Sequence, residues 1–395
     1  MVKNTLLFVL LFAGIHFVYS QDELDFKPRL ALDQGMGFYS ADTSYLVNFR
    51  FRMQNRAGVY TKAIDDFSIN EVDARVRRLR LRMDGFLVDP RFSYYIQLSF
   101  SRGDQDWENS RVPNVVRDAA LFYFFTPRTY LCFGQTKLPG NRQRVISSGM
   151  QQFAERSLVN ATFNIDRDFG FRLYHEQPVL GMLFRKQAAI TSGEGRNALN
   201  SDNGLAYTGR IEWLPFGRFI SDGDYFEADL LREPKPKLSL GATYSLNEKA
   251  IRTGGQIGTF LSTPTDITTF IADAVLKWNG FSVYGEYFYR TASLYEVMDI
   301  AGLPTFVYGG QGVNVQAGYV FKNNYEIAGR FAQIKPNDEI RNETNGINEI
   351  TLGLSKYLNA HQVKVQLNLS YQNEHYLLSE RFDRWGALFQ VEVGI

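Results

Sequence analysis

The chain has 395 residues, 45% of them hydrophobic and 15% aromatic, and its 43 basic side chains nearly balance its 42 acidic ones. That length suffices for one large domain or several small ones. The near-neutral charge excludes nucleic acid as a partner drawn by a global field. With Cys132 as the single cysteine, no internal disulfide is available, so stability has to come from backbone pairing and packing.

The first twenty residues have the features of an export signal. Lys3 precedes an apolar run over residues 6–18, and Ser20 is followed by the polar stretch QDELDF. We predict a secretory signal peptide over residues 1–20, cleaved after Ser20. A transmembrane anchor is the alternative, but the run is shorter than the roughly 20 residues that a helix needs to cross hydrocarbon.

Alternation of apolar and polar residues dominates the remaining sequence. No window approaches eighteen consecutive apolar residues, which excludes helical membrane spans on hydropathy grounds. Period two is typical of strands with one apolar and one polar face. The clearest examples are SYLVNFRFRMQ (44–54), RRLRLRMDG (77–85), LAYTGRIEWL (205–214), KLSLGATYSL (237–246), GVNVQAGYVF (312–321) and HQVKVQLNLSY (361–371).

Two kinds of connection alternate between these segments. Short turns such as Asn279-Gly280 are followed by long polar loops, for example at residues 56–70, 138–166 and 248–267. Short turns at one end and long loops at the other indicate an all-β transmembrane antiparallel barrel in a bacterial outer membrane. Segments counted back from Ile395 predict sixteen strands over residues 44–395, the first at 44–55, after a periplasmic lead-in at 21–43. Residues 28–38 offer a seventeenth strand as the alternative.

A soluble sandwich or propeller would also show many short strands. Against it, whole strand faces are apolar, as at Val363, Val365, Leu367 and Leu369, and aromatic residues gather near strand ends, which is typical of membrane interfaces. The last strand, WGALFQVEVGI, alternates in the same way and resembles the C-terminal signal for outer-membrane assembly.

Arginines follow the polar face of the first two strands. If apolar side chains face lipid, six arginines project into one wall of the lumen, while Arg75 and Arg77 fall on the lipid face at the outer rim. Rings of Arg and Lys favour anions, and a guanidinium matches the geometry of phosphate. The six are Arg50, Arg52, Arg56, Arg78, Arg80 and Arg82.

The alternative is that carboxylates neutralise this row and the arginines only stiffen the wall. Inward-facing candidates for that role occur on later strands. They are Glu212, Asp273, Glu286, Glu326 and Glu349.

Two connections are long enough to be functional. Residues 138–166 form the third external loop, whose Arg142, Arg144 and Arg156 among polar residues suit the lining of a lumen, although a mobile surface loop has a similar composition. Residues 215–236 break the rule of short periplasmic turns, and they could contact a periplasmic partner or, less simply, bind calcium. The carboxylates of that weak metal candidate are Asp222, Asp224, Glu227 and Asp229.

Catalysis is not predicted. The mature chain has His175, His361 and His375, none in a recognisable nucleophile or metal motif, and neither HExxH nor GxSxG occurs. No cofactor is predicted.

The order of several weak motifs resembles a known family. RVRRLRLRMDG is followed by VRDAALFYF, FGQTKLP, SSGMQQFAERS and DRDFGFRL, an order similar to that in phosphate-selective porins of the O and P type, particularly their Bacteroidota branch. The resemblance implies a sixteen-stranded, usually trimeric barrel whose third external loop folds into the lumen beside an arginine ladder and a lysine cluster. The matching positions are Arg78, Arg80, Arg82, Lys137, Glu155, Arg156, Arg167 and Asp168.

The sequence therefore predicts an outer-membrane porin for small hydrophilic solutes, with a preference for anions that could include phosphate. Its expected partners are outer-membrane lipid, small anionic solutes and, following the resemblance, two further copies of the chain. The alternative is a non-conducting structural or assembly subunit of an envelope complex, for which the long acidic connection at 215–236 is the motive.

Overall fold

The computed structural model describes residues 35–39, 44–105, 114–198, 204–375 and 382–395. The predicted signal peptide and most of the predicted lead-in lie outside these residues. The described chain is built mainly of strands: β1 Met36–Tyr39, β2 Tyr45–Thr61, β3 Ile69–Leu87, β4 Asp89–Ser99, β5 Val116–Thr126, β6 Thr129–Lys137, β7 Arg167–Val179, β8 Met182–Thr191, β9 Ala206–Leu214, β10 Lys237–Arg252, β11 Phe260–Trp278, β12 Phe281–Ala292, β13 Glu296–Met298, β14 Pro304–Phe306, β15 Gly310–Val320, β16 Tyr325–Pro336, β17 Gly346–Asn359, β18 Val363–His375 and β19 Phe382–Gly394.

Helices are few and short. Arg142–Val145 forms a single α-helical turn, α1, and Leu158–Phe163 forms helix α2; short 3₁₀ turns occur at Arg102–Asp104, Ser148–Met150 and Ile220–Tyr225. No helix in the described ranges is long and apolar enough to cross a membrane.

Sixteen of the strands close into an antiparallel barrel. Each pairs with its neighbour in the chain from β2 to β12 and from β15 to β19, with β12 pairing to β15, and β19 closes the ring by pairing with β2. The predicted count of sixteen is thus confirmed. Of the candidate seventeenth strand, Met36–Tyr39 forms the short β1, which pairs with Leu46–Phe49 of β2 beyond the end of β19. β13 and β14 form a separate hairpin.

On most strands of the barrel the polar face is the buried one. On β2, Asn48 and Gln54 are almost fully buried, whereas Phe51 is 40% exposed; on β17, Thr351 is buried while Leu352 is 59% exposed. This arrangement reverses that of a soluble protein and provides the apolar outer band that a bilayer requires.

The strands extend further than the sequence predicted at the long-loop end. β2 continues to Thr61 instead of ending at residue 55, and β10 and β11 reach Arg252 and Phe260 inside the predicted loop 248–267. Polar runs interrupt the alternation in the extensions of β10 and β11, at residues 247–249 and 262–266, which is why the apolar pattern did not reveal them. At the opposite end, Asn279 and Gly280 both have positive φ and make the predicted tight hairpin.

A β-bulge corrects the predicted orientation of one arginine. The pairing of β2 with β3 shifts between Gln54↔Arg78 and Asn55↔Val76, so that Arg77 has no partner of its own. The extra residue reverses the side-chain alternation beyond it. Arg77 therefore points inward with Arg78 and pairs with Glu155, instead of facing lipid.

Candidate functional site

Residues 138–166 connect β6 to β7 with the bounds that the sequence predicted. Ser157 caps helix α2, its Oγ accepting a hydrogen bond from the backbone N–H of Asn160 at 3.2 Å. Such a cap satisfies one of the free N–H groups of a helix that would otherwise be too short to persist.

Helix α2 lies against an apolar patch on the inner face of the barrel. Val159 and Phe163 pack on Ile271, Phe288 and neighbouring residues of β11, β12 and β16. The rings of Phe163 and Phe288 stack with centroids 6.0 Å apart. This apolar contact fastens the loop to one side of the barrel.

Gly312 makes that close approach possible. A Cβ at this position of β15 would lie 2.5 Å from Val159 Cγ1 and 2.9 Å from Phe163 Cδ2. Real Cβ atoms do not come so close, so the absence of a side chain is what lets α2 rest on the strand.

Polar bonds extend this attachment along the loop. The Gln143 N–H donates to Glu286 Oε1 at 3.0 Å, Gln152 Nε2 donates to Glu326 Oε1 at 2.7 Å, and Lys364 Nζ donates to the carbonyl of Gln151 at 2.8 Å. The loop is therefore bound to inward-facing groups of β12, β16 and β18, and it also meets the arginine row, where Arg80 donates to Ser148 Oγ at 3.1 Å.

Arg142 sits at the centre of a buried charge cluster. Its guanidinium reaches Asp273 at 2.6 Å, Glu212 at 3.1 Å and Asp224 at 3.3 Å. Because Arg185 and Arg210 bind the same carboxylates, the cluster approaches neutrality, which is the condition for burying so many charges. Arg142, predicted to line the lumen, is instead fully buried.

The acidic connection at 215–236 meets the loop. The Glu227 N–H donates to the Met150 carbonyl at 2.9 Å, and the Gln152 N–H donates to Glu227 Oε2 at 2.9 Å. Asp229 Oδ2 accepts from the Gly280 N–H at 2.7 Å. Arg185 pairs with the other two carboxylates proposed for calcium, Asp222 and Asp224. No group of metal-ligating side chains in the described ranges is spaced to hold an ion, so the geometry does not support the calcium alternative.

Every arginine of the row has a carboxylate nearby. None of these carboxylates belongs to the set on the later strands that the sequence predicted as partners. Those later carboxylates bind Arg142, Arg185, Arg210, Arg330 and loop amides instead. The partners of the row lie on β3, on the adjacent strand β19 or in loops. They are Arg50–Asp84 3.8 Å, Arg52–Glu392 3.1 Å, Arg56–Glu155 2.6 Å together with Arg56–Asp73, Arg78–Glu155 3.1 Å, Arg80–Asp104 2.6 Å and Arg82–Asp84 2.6 Å.

These carboxylates are shared, so they do not cancel the charge. Asp84 serves Arg50 and Arg82, while Glu155 serves Arg56, Arg77 and Arg78. Asp104 in turn serves Arg80 and Arg117, the latter at 3.1 Å. The wall keeps a positive surplus.

The remaining predicted cations lie where the loop begins and turns. Lys137 Nζ donates to the carbonyls of Val145 and Ile146 at 2.7 and 3.3 Å. Arg156 likewise donates to the carbonyls of Gln143 and Ile146, both at 2.8 Å, and Arg144 Nε donates to Asp166 Oδ1 at 2.7 Å. Burial and the neighbouring Arg144 lower the pKa of Arg156.

Two cavities lie between the loop and the arginine wall. The outer cavity, towards the long loops, measures about 310 Å³ and the inner cavity, towards the short turns, about 280 Å³. Four side chains line both of them, namely Arg80, Arg117, Arg144 and Arg156, so the cavities adjoin each other along the wall.

Both cavities are strongly cationic. The outer one is lined by eight arginines and three carboxylates: Arg77, Arg78, Arg80, Arg117, Arg144, Arg156, Arg196, Arg252, Asp104, Glu155 and Asp166. The inner one has nine cations and a single carboxylate: Arg50, Arg52, Arg80, Arg82, Arg117, Lys137, Arg144, Arg156, Arg167 and Asp118.

Sequence reasoning missed several of these groups. Arg117 has the parity of the outward-facing Leu121, and it points inward because the pairing of β4 with β5 shifts between Gln97↔Asp118 and Leu98↔Val116. Arg196 and Asp104 lie in loops, where no periodicity points to them. Of the histidines, His175 Nδ1 shares a hydrogen bond with Thr129 at 2.9 Å and His361 lines the inner cavity. The side chain of His375 lies outside the described residues.

Solved porins share this architecture. The anion-selective porin of Comamonas acidovorans aligns with a TM-score of 0.54 at 11% identity, over 89% of this chain and all of that one. The outer membrane channel DcaP of Acinetobacter baumannii gives 0.56 and 11%, over 91% and 100%. OmpT of Vibrio cholerae in its trimer form gives 0.52 and 10%, over 88% and 99%. No curated protein matches the chain significantly.

A family model for phosphate-selective porins O and P matches residues 47–384, which is nearly the whole barrel. The match agrees with the resemblance seen in the sequence motifs and with the closed sixteen-stranded fold. Porins are channels of the outer membrane. The chain belongs to the phosphate-selective porin O and P family.

Proposed function

We propose that this porin lets small hydrophilic solutes diffuse passively across the outer membrane and prefers anions, phosphate-like ones among them. The observation that carries the proposal is the charge of the two cavities, in which cations outnumber carboxylates by eight to three and nine to one. Fixed positive charge along a wetted path raises the local concentration of anions and excludes cations.

The loop supports a one-sided path. Residues 138–166 bond both to inward-facing groups of β11, β12 and β16 and to the arginine wall, through Ser148 and Glu155, and we propose that they fold into the lumen and narrow it. Solutes then pass between the loop and β2–β7. Arg50, Arg52 and Arg82 keep 15–27% of their side-chain surface exposed there and contact solutes, whereas Arg56, Arg78 and Arg80 hold the loop in place.

A planar bilayer tests the preference. Under a potassium chloride gradient we expect a reversal potential of the anion-selective sign, and Arg50→Gln/Arg82→Gln should lower the anion-to-cation permeability ratio by about twofold or more, since a unit charge about 10 Å away is worth some tenths of a kcal/mol in water. Arg91→Gln is the matched control, because Arg91 pairs with Asp89 in the exposed short-turn end. A cation-selective sign in the wild type would contradict the proposal.

Trimer formation is part of the proposal. It rests on the resemblance of the sequence to a family of usually trimeric porins and on the trimer form of the similar OmpT. The mass of the protein in a mild detergent should be that of three copies.

A second candidate function is a non-conducting subunit of an envelope complex. Its support is the contact between segment 215–236 and the loop, which ties periplasmic-side residues to the interior. Purified protein that shows no conductance and retains a co-purifying partner would favour it.

A further inference from the structure

A third cavity lies on the inner face of strands β3–β8, beneath the start of the loop, and measures about 280 Å³. Arg82 of β3, which pairs with Asp84, borders it on one side. Its lining differs from that of the two cationic cavities because rings and aliphatic groups dominate. We call it the aromatic cavity, after Phe122, Tyr130 and Tyr174; Leu138, Pro139 and Val145 cover it from the loop.

The three rings form a continuous surface. Tyr130 stacks on Tyr174 with centroids 4.8 Å apart and an interplanar angle of 12°, and Phe122 meets Tyr130 edge-on at 5.7 Å. Inner walls of porins are generally polar. An aromatic surface on such a wall favours binding of a solute that has an apolar part. Such a surface can hold a further ring by stacking or by edge contact.

Cations border the same cavity. Arg172 donates to the Lys137 carbonyl and, at 2.8 Å, to Cys132 Sγ, and both Lys137 and Arg172 line the cavity. Neither Lys137 nor Arg172 forms a salt bridge with a carboxylate in the described part of the chain, and Arg172 Nε has no hydrogen-bond partner there. Lys137 uses two carbonyl acceptors and keeps a third N–H. Within the described residues, neither Lys137 nor Arg172 at the rim of the cavity is therefore paired with a carboxylate.

We propose that the aromatic cavity binds small aromatic anions, with the ring against Phe122, Tyr130 and Tyr174 and the carboxylate or sulfonate at Lys137 and Arg172. The size is suitable, because a cavity of about 150 Å³ already holds benzene and the remaining volume accommodates an anionic group. This inference rests on the proposed function, since the anion has to enter the lumen, and it deepens that function by naming an organic substrate class beyond inorganic anions.

The test compares three added anions on single channels: benzenesulfonate, methanesulfonate and inorganic phosphate. The two sulfonates carry the same charged group and differ in the ring. We expect benzenesulfonate to interrupt the chloride current at about tenfold lower concentration than methanesulfonate, which is the contribution of ring contacts in a desolvated site. Phosphate should resemble methanesulfonate.

Substitutions at Phe122 and Arg172 test the aromatic contact and the charged contact separately. Phe122→Ser should abolish the difference between the sulfonates, and Phe122→Tyr, which keeps the ring, should preserve it. Arg172→Gln should weaken block by both sulfonates, and Arg172→Lys should restore much of it. Heat-dependent migration in gels verifies that each barrel is folded; if Phe122→Ser does not fold, Tyr130→Leu removes a ring while keeping apolar bulk.

Equal block of the wild type by both sulfonates would overturn the inference, and so would an unchanged difference in a folded variant that lacks the ring. These results are separate from the reversal potential in potassium chloride. A channel that prefers chloride but does not distinguish the sulfonates refutes the aromatic site alone, whereas a channel without anion preference that still distinguishes them refutes the proposed function and retains the site.

Discussion

Glu155 shows how a single loop carboxylate organises the arginine wall. It contacts Arg56 at 2.6 Å and Arg78 at 3.1 Å, and also Arg77. One negative charge cannot neutralise three positive ones, but each guanidinium gains a partner, and breaking a buried pair costs more than forming it contributes. The carboxylate fastens the loop to the wall, and the wall keeps a surplus of positive charge.

Replacing that carboxylate should loosen the loop. For Glu155→Gln we expect a loss of about 2 kcal/mol in the free energy of unfolding, less than for a fully buried pair because the Glu155 side chain is 29% exposed. Anion preference should rise, since a negative charge leaves the outer cavity. Urea unfolding in phospholipid vesicles and the reversal potential measure the two effects.

Asp338→Asn is the matched control, because Asp338 pairs with Arg341 in an exposed loop. If the two variants unfold at the same urea concentration, the bridging role of Glu155 is refuted.

We expect the contribution of Glu155 to the stability of the fold to depend on pH. Burial alone would raise the pKa of Glu155, but Arg78, Arg77 and Arg56 hold it well below its ordinary value. A carboxyl group with a lowered pKa stabilises the fold above its ordinary pKa of about 4.3, and that contribution declines as pH falls towards the lowered value. The difference in stability between wild type and Glu155→Gln should stay constant from pH 8 to about pH 5 and shrink below about pH 4. A difference that shrinks already between pH 8 and pH 6 would contradict the assignment.

At the scale of elements, helix α2 is stable because of where it lies. Six residues are too few for an isolated helix, yet Val159 and Phe163 bury their side chains on β11, β12 and β16. Arg290 donates to the carbonyls of Phe163 and Asn164 at 2.8 and 3.3 Å, which satisfies free carbonyls at the end of the helix.

Gly312→Ala should displace this helix. The added methyl group meets Val159 and Phe163 below normal contact distance, so we expect a loss of about 1–3 kcal/mol in stability and a noisier open-channel current. Gly209→Ala is the control, since a Cβ there meets nothing within 4 Å. If the two variants have indistinguishable currents and unfolding midpoints, the contact between α2 and β15 tolerates the added methyl group, and the prediction is wrong.

The whole barrel is asymmetric inside. The loop, the charge cluster around Arg142 and segment 215–236 bond to one another. The cavities lie mainly along β2–β8, and the outer one also reaches Arg252 of β10. An antiparallel barrel has no intrinsic preference for one side, so the position of the path depends on what the loop binds.

Cysteine labelling locates the path. In a Cys132→Ser background, Gln97→Cys, which lines the inner cavity, should react rapidly with a small anionic thiosulfonate. Gln316→Cys should react at least about tenfold more slowly, because Gln316 is buried and bonded to Gln152 and Glu227. Comparable rates would mean that the lumen is open on both sides.

Much of the fold could be predicted because each strand shows its own alternation of apolar and polar residues. The strand count, the loop bounds 138–166 and the inward face of Arg78 and Arg80 follow from period two and its interruptions. Arg77 escaped prediction since a bulge depends on the pairing of two strands, and the apolar inward residues Ile271 and Phe288 escaped because they serve a helix distant in sequence.

The sequence by itself determined the barrel, its closure with sixteen strands and the gathering of arginines on one wall, because lipid outside and water inside impose alternation on each strand separately. Only the tertiary structure decided which carboxylates those arginines share, that Arg142 is buried instead of lining the lumen, and where the cavities lie. Those features depend on distances between residues 78 and 155, or 142 and 273, which exist only after the ring has closed and the loop is bound.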